Sequence, residues 1–206
     1  MSGIVFYQQD LPDEHPLLKA DTVAIDTEAM GLALHRDRLC LVQLSSGDGN
    51  AYLVQILPNQ SPPKNLIALL TNPKITKIFH FARFDVALLY QSFGIVTAPI
   101  FCTKIASKLS RTYTDRHGLK DLCRDILKIE ISKQEQTSDW GAPILTEDQK
   151  RYAASDVLHL HALKQHFEAI LQREKRTEIA QASFSYLPYR SLLDVLAGEN
   201  YDILAH

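Results

Sequence analysis

Asp26 and Glu28 stand two residues apart in the apolar run Val23-Ala24-Ile25-Asp26-Thr27-Glu28, so a strand there turns both carboxylates to one face. A single strand acid facing water at a sheet end needs no explanation, but two on one face repel each other. Asp85 lies on the stripe drawn at helical spacing by Phe81, Leu88 and Leu89. It reads either as a first-turn acid complementing the helix dipole or as a core-facing acid, which is costly without a partner or a cation. Tyr152 and Asp156 are one helical turn apart, and Leu160, Leu163 and Phe167 continue their face. A buried Tyr–Asp hydrogen bond serving stability alone is the plain alternative to a chemical role. Together these residues offer four carboxylates and a phenol from three separate segments. No lysine or arginine adjoins them on the same faces, and hard oxygen donors suit Mg2+ or Mn2+ rather than zinc.

The elements that must position these groups are strands in the first half and helices in the second. Val23–Glu28, Leu39–Leu44 and Ala51–Ile56 read as strands, the last two joined across Ser46-Gly47-Asp48-Gly49-Asn50 as a hairpin. Pro58, Pro62 and Pro63 end that run, and helical spacing follows in Leu66–Leu70. Lys77–His80 reads as another strand, feeding a helix over 82–92. Leu119, Leu122, Cys123, Ile126 and Leu127 make an apolar helical stripe. Thr146 and Gln149 match a capping box, which predicts one long helix running to about Arg173. Pro188 separates two short helical patterns, one ending near Phe184 and one holding Leu192, Leu193, Val195 and Leu196. The fold class is therefore α/β, a mixed central sheet flanked by helices, in a single domain over 1–206 with no linker.

Composition bounds the function. The chain has 206 residues, 46% hydrophobic and 22% charged, an ordinary balance for a folded protein. Its formal net charge of −2 argues against a generally basic surface for nucleic acid. Two bound divalent cations would make that balance positive and concentrate the added charge at the acids. Cys40, Cys102 and Cys123 are far apart and odd in number, which reads as buried small hydrophobes in a reducing cytoplasm. The N-terminus lacks the basic and apolar regions of a signal peptide, and no apolar run is long enough to span a membrane. A cytoplasmic protein is expected.

In order along the chain, Asp26-Thr27-Glu28, His80-Phe81-Ala82-Arg83-Phe84-Asp85 and Tyr152-Ala153-Ala154-Ser155-Asp156 resemble the three motifs of the DEDD 3′–5′ exonucleases. The Tyr-x-x-x-Asp spacing is that of the tyrosine branch; the histidine branch would place His where Arg151 stands. Within that branch the chain is similar to ribonuclease D. Lys133-Gln134-Glu135-Gln136-Thr137-Ser138-Asp139-Trp140 looks like that group's Lys-x-x-Gln-x-Ser-Asp-Trp segment, and Leu41-Val42-Gln43-Leu44 resembles its strand after the first motif. The resemblance covers about residues 20–172. Longer ribonuclease D members carry further helical RNA-binding domains, whereas here a helical extension over 173–206 is expected in their place.

The resemblance implies a ribonuclease H-like exonuclease fold. It further implies that Asp26, Glu28, Asp85 and Asp156 hold two divalent cations, Mg2+ or Mn2+, for hydrolysis that releases nucleoside 5′-monophosphates. Tyr152 is expected to orient the attacking water, since an unperturbed phenol titrates near about 10. By the same resemblance Glu28 meets the terminal 3′-hydroxyl, Thr27 and Met30 line the terminal base and sugar, and Lys133 and Gln136 contact the strand. Trp140 is either a strand contact or a core residue holding its loop. His80 is a substrate-side candidate whose competing reading is structural, starting the helix that carries Asp85. His159 and His161 read as surface or packing residues. Lys104, Lys108, Arg111, Arg116, Lys120 and Arg124 suggest a phosphate track, but the interleaved Asp115, Asp121 and Asp125 favour a solvated face. The expected partner is a single-stranded RNA 3′ end, in tRNA or structured-RNA processing or decay, with oligomeric state open. The rivals are a 3′–5′ DNA exonuclease of proofreading or repair type and a non-catalytic nucleic-acid-binding module. Weak grip away from the metals predicts distributive digestion that weakens as salt rises.

Overall fold

Six strands form one mixed sheet: β1 (Ile4–Gln8), β2 (Thr22–Ala29), β3 (Leu39–Ser45), β4 (Ala51–Gln55), β5 (Thr76–Phe79) and β6 (Ile100–Cys102), in the order β1-β4-β3-β2-β5-β6. They belong to a computed structural model that describes residues 3–131, 135, 137–198 and 200–204. The expected hairpin is present, as β3 pairs antiparallel with β4 and with β2. β5 runs parallel to β2 and β6, and β1 runs parallel to β4. β2 is therefore flanked by an antiparallel neighbour on one side and a parallel one on the other. The parallel pairing stops at Ala24↔Ile78, so the end of β2 that bears Asp26 and Glu28 projects past β5. Sites of α/β sheets commonly form there, beyond the carboxyl ends of strands.

The helices are α1 (Lys64–Thr71), α2 (Ala82–Phe93), α3 (Thr103–Ser110), α4 (Leu119–Leu122), α5 (Glu147–Leu158), α6 (Leu160–Arg173) and α7 (Thr177–Ala197). A 3-10 turn spans Pro16–Lys19, and a π-helical turn follows α4 over Cys123–Leu127. α5 packs across β1, β2, β3 and β4, whereas α6 packs on α3 and β5 and α7 packs along α2. The Thr146 capping box forms as expected: Thr146 Oγ1 accepts from Gln149 N at 3.1 Å and Gln149 Oε1 accepts from Thr146 N at 2.8 Å.

Two expectations about the helices are corrected. The helix opened at Thr146 does not run through to Arg173 but breaks at His159, which lets α5 follow the sheet while α6 packs elsewhere. Pro188 does not separate two helices; it lies buried inside α7, where packing on α2 and β6 outweighs the lost backbone donor. Strands β1 and β6 were not expected. All three cysteines are buried and free. Lys77, in β5, is wholly buried, and its Nζ donates to the carbonyls of Asn72, Ile75 and Ala98 at 2.7, 2.8 and 2.6 Å. Among the described residues no helix is long and apolar enough to cross a membrane.

Candidate metal centre

Strand β2 delivers Asp26 and Glu28 to one face, and α5 packs over that face with Asp156 one turn beyond Tyr152. Carboxylate oxygens of Asp26, Glu28 and Asp156 all lie within 4.8 Å of one another. Thr27 alternates to the opposite side, where its Oγ1 donates to Asp85 Oδ1 at 2.6 Å and ties the first turn of α2 to the strand. That helix is entered through Phe81, whose φ of 66° is left-handed. A non-glycine residue in this conformation costs roughly 1–3 kcal/mol and is characteristic of functional sites.

Neighbouring acids suppress the ionisation of Asp26 and Glu28. Burial pushes Asp26 well above the usual carboxylate range, and the charges of Asp85, Asp156 and Glu28 push it further. Burial, then Asp156 and Asp85, raise Glu28 to about 9. Burial raises Asp85 to about 7 against the lowering pull of its Thr27 hydrogen bond. No ion pair among the described residues joins Asp26, Glu28 or Asp85 to a lysine or arginine. Crowded carboxylates fit hard divalent cations, which would relieve the repulsion and take the oxygens as ligands. The residues present therefore suit Mg2+ or Mn2+.

Tyr152 hydrogen-bonds to Asp156, and burial together with the charges of Asp156, Glu28 and Asp26 raises its phenol above the ordinary value. Its ring centroid lies 6.1 Å from that of Trp140. Trp140 is 3% exposed and packs with Cys40, Leu41, Leu53, Leu145 and Ala153, so of its two sequence readings the structure favours the core residue. Its loop is pinned by Arg38, just before β3, donating to Gly141 O, by Gln55 of β4 donating to Ala142 O and by Gln149 of α5 donating to Asp139 O.

Other candidates fall as follows. Met30 is exposed just beyond the acids and lies beside Gly141. Thr27 is buried with its hydroxyl committed to Asp85. The Thr103 hydroxyl donates to Phe79 O at 3.1 Å and so takes a hydrogen from His80 Nδ1 at 2.9 Å. His80 thus links β5 to the start of α3, and burial depresses it to about 3, keeping the ring neutral. Lys133 and Gln136 lie outside the described residues. His161 Nε2 meets Thr22 Oγ1 at 3.2 Å, in keeping with packing. Two arginines of the basic stretch are paired within it, Arg111 with Asp125 at 2.9 Å and Arg124 with Asp121 at 2.8 Å. Lys104 caps the Phe81 ring at 3.9 Å.

Two groups near the acids went unassigned from sequence. Gln43, opposite Asp26 in the β2–β3 register, is fully buried with Nε2 3.4 Å from Asp26 Oδ2. Its polarity inside the run Leu41-Val42-Gln43-Leu44 was the available signal. Arg83, two residues before Asp85, forks onto Asp194 of α7 at 2.6 and 2.8 Å, a partner 111 positions away that local patterning does not reveal.

Residues 13–172 match the family model described as 3′–5′ exonuclease. The ribonuclease D of Jannaschia sp. (strain CCS1) is 30% identical over 168 residues, which are 80% of this chain and 43% of that protein. The chain thus spans less than half the length of the curated relatives it matches first. The solved structure of Brucella melitensis NrnC bound to pGG is 53% identical, covers 100% of both chains and superposes with a TM-score of 0.96. The same Brucella protein with bound Mg2+ is 52% identical over 99% of both chains, with a TM-score of 0.94.

Proposed function

This chain belongs to the 3′–5′ exonuclease family, and on that premise we propose that it is a metal-dependent exoribonuclease removing nucleoside 5′-monophosphates from single-stranded RNA 3′ ends. The observation that carries the reading is the convergence of Asp26, Glu28 and Asp156 oxygens within 4.8 Å, with Asp85 coupled to them electrostatically. The ribonuclease D relatives and the Brucella structures with pGG and with Mg2+ support the choice of substrate class and metal.

Asp26, Glu28, Asp85 and Asp156 would hold two cations, Mg2+ or Mn2+. When bound, such ions supply Lewis acidity toward water and toward the phosphoryl and leaving oxygens. Tyr152 keeps its proton on Oη at neutral pH, because burial, and then the charges of Asp156, Glu28 and Asp26, disfavour a phenolate. It therefore orients water by hydrogen bonding and is not the base. Packing beside Trp140 fixes the ring that presents this hydroxyl. Glu28, with Met30 exposed just beyond it, would receive the terminal nucleotide.

The deciding experiment is nucleotide release from matched 3′-tailed RNA and DNA, with Mg2+, Mn2+ or chelator. Stepwise 5′-monophosphate release from RNA, dependent on metal and lost in Asp26→Ala, is expected. Turnover in excess chelator overturns the mechanism, and strong preference for the DNA overturns the substrate class.

A further inference from the structure

Helix α7 lies wholly beyond residue 172, where the family match ends, yet it grips the helix that carries Asp85. Arg83 Nε and Nη2 donate to the two oxygens of Asp194 at 2.6 and 2.8 Å. Ser191 Oγ donates to the carbonyl oxygen of the same Arg83 at 2.9 Å. Ser191 is fully buried and the Asp194 side chain is 3% exposed, while the Arg83 side chain remains 34% exposed, so the α7 side of these contacts is interior. Arg190, one turn before Asp194 on α7, adds a second guanidinium to the Asp194 carboxylate at 3.0 Å.

A forked guanidinium–carboxylate pair constrains orientation as well as distance. Here it acts on the second residue of α2, and Asp85 is the fourth. The first turn of α2 is thus held on one side by Thr27 through Asp85 itself and on the other by α7 through Arg83. An ion pair with its carboxylate buried is a poor source of net stability, because desolvation offsets its attraction, but it can enforce one arrangement of the elements it joins.

We propose that Asp194, with Ser191, is a positioning residue for the metal centre: through Arg83 it sets the first turn of α2 and hence the place of Asp85. The C-terminal helix is on this view a working part of the site. The proposal rests on the reading of the acids as a metal centre, so its test measures metal directly as well as activity.

The experiment titrates full-length protein with Mn2+ and follows the free ion by electron paramagnetic resonance, alongside thermal unfolding in chelator. Asp194→Asn is compared with Leu187→Ala, which removes a buried α7 side chain that takes no part in the Arg83 cluster. Both variants should unfold at lower temperature. Asp194→Asn alone should weaken Mn2+ binding, by about tenfold as for other groups that orient metal ligands, and lower kcat at saturating metal. Ser191→Ala, a milder change, should move Mn2+ affinity in the same direction and covers the case that Asp194→Asn fails to fold. Unchanged Mn2+ affinity in the folded Asp194 and Ser191 variants, or an equal loss in Leu187→Ala, overturns the proposal while leaving the metal centre intact. Wild-type protein that binds no Mn2+ overturns the metal centre itself, and this proposal with it.

Discussion

Thr27 Oγ1 donates to Asp85 Oδ1 at 2.6 Å, joining the strand that bears two acids to the helix that bears a third across 58 positions of sequence. The residue between Asp26 and Glu28 is therefore part of the architecture of the site, facing away from both and locking the third acid in place. A hydrogen bond to a charged group is worth about 1.5–3 kcal/mol. Thr27→Val, which keeps the shape and removes the donor, should lower kcat/KM about tenfold or more on that scale. Thr27→Ser should restore most of the loss. Full activity in the valine variant, with unfolding unchanged, would show that Asp85 needs no such tie.

The same crowding makes the acids a burden on the metal-free fold. Asp26 is half-buried beside three other carboxylates that all resist its ionisation. Asp26→Asn should abolish nucleotide release, yet raise the unfolding temperature in chelator by about 2–4 °C, the shift that ~1 kcal/mol produces in a domain of this size. A lower unfolding temperature for this variant would mean that the carboxylate is already compensated in the metal-free chain.

Stability without metal should fall as pH rises. Glu28 is raised from 4.5 to about 9 and Asp85 from 3.8 to about 7, so between those limits the folded chain binds more protons than the unfolded one. The stability those protons contribute is complete below the unfolded values. It is lost as pH passes first about 7 and then about 9. In chelator the urea midpoint should therefore decline from pH 6 to pH 9, which lies inside the window those two shifts open. Saturating Mg2+ should flatten the decline, because the cation replaces the protons. A midpoint that is flat in chelator speaks against a crowded, proton-sharing cluster.

What was legible in the sequence follows from how far each signal reaches. Asp26, Asp85 and Asp156 betrayed themselves by interrupting apolar patterns, and the capping box at Thr146 is a contact within four residues. The hairpin of β3 and β4 announced itself by its turn. β1 is a five-residue, half-exposed edge strand and β6 has three residues just after Pro99, too short for a periodic pattern to stand out. The break at His159 was hidden because Leu160, Leu163 and Phe167 continue the stripe across it. Pro188 misled because local propensity speaks for a break where packing of α7 on α2 decides otherwise. The Thr27–Asp85 and Arg83–Asp194 contacts join distant segments, and residue types alone do not announce them.

Lys77 is a purely structural test far from that chemistry. Its ammonium is buried with no carboxylate partner among the described residues and is satisfied by three backbone carbonyls, while burial lowers it to about 8. Lys77→Met keeps the aliphatic length and leaves those carbonyls without their donor. Each orphaned buried acceptor costs about 1–3 kcal/mol, offset in part by no longer burying a charge. Denaturant unfolding should show a net loss of about 2–4 kcal/mol on those terms, with Mn2+ affinity of the folded protein unchanged. A neutral effect would mean that the carbonyls find other donors.

Trp140 separates packing from substrate contact. It is buried against Cys40, Leu53 and Leu145, its ring lies beside Tyr152, and its indole N–H has no hydrogen-bond partner among the described residues. Trp140→Phe should therefore be tolerated, since it keeps an aromatic body and removes an unpaired donor: unfolding temperature and KM should both stay near wild type. Trp140→Ala should cost about 3–5 kcal/mol of stability and lower kcat, because the cavity loosens the wall behind the Tyr152 ring. A strand-contacting tryptophan gives the opposite pattern, in which both substitutions raise KM and neither moves the unfolding temperature. Measuring the two quantities together on the two variants decides between them.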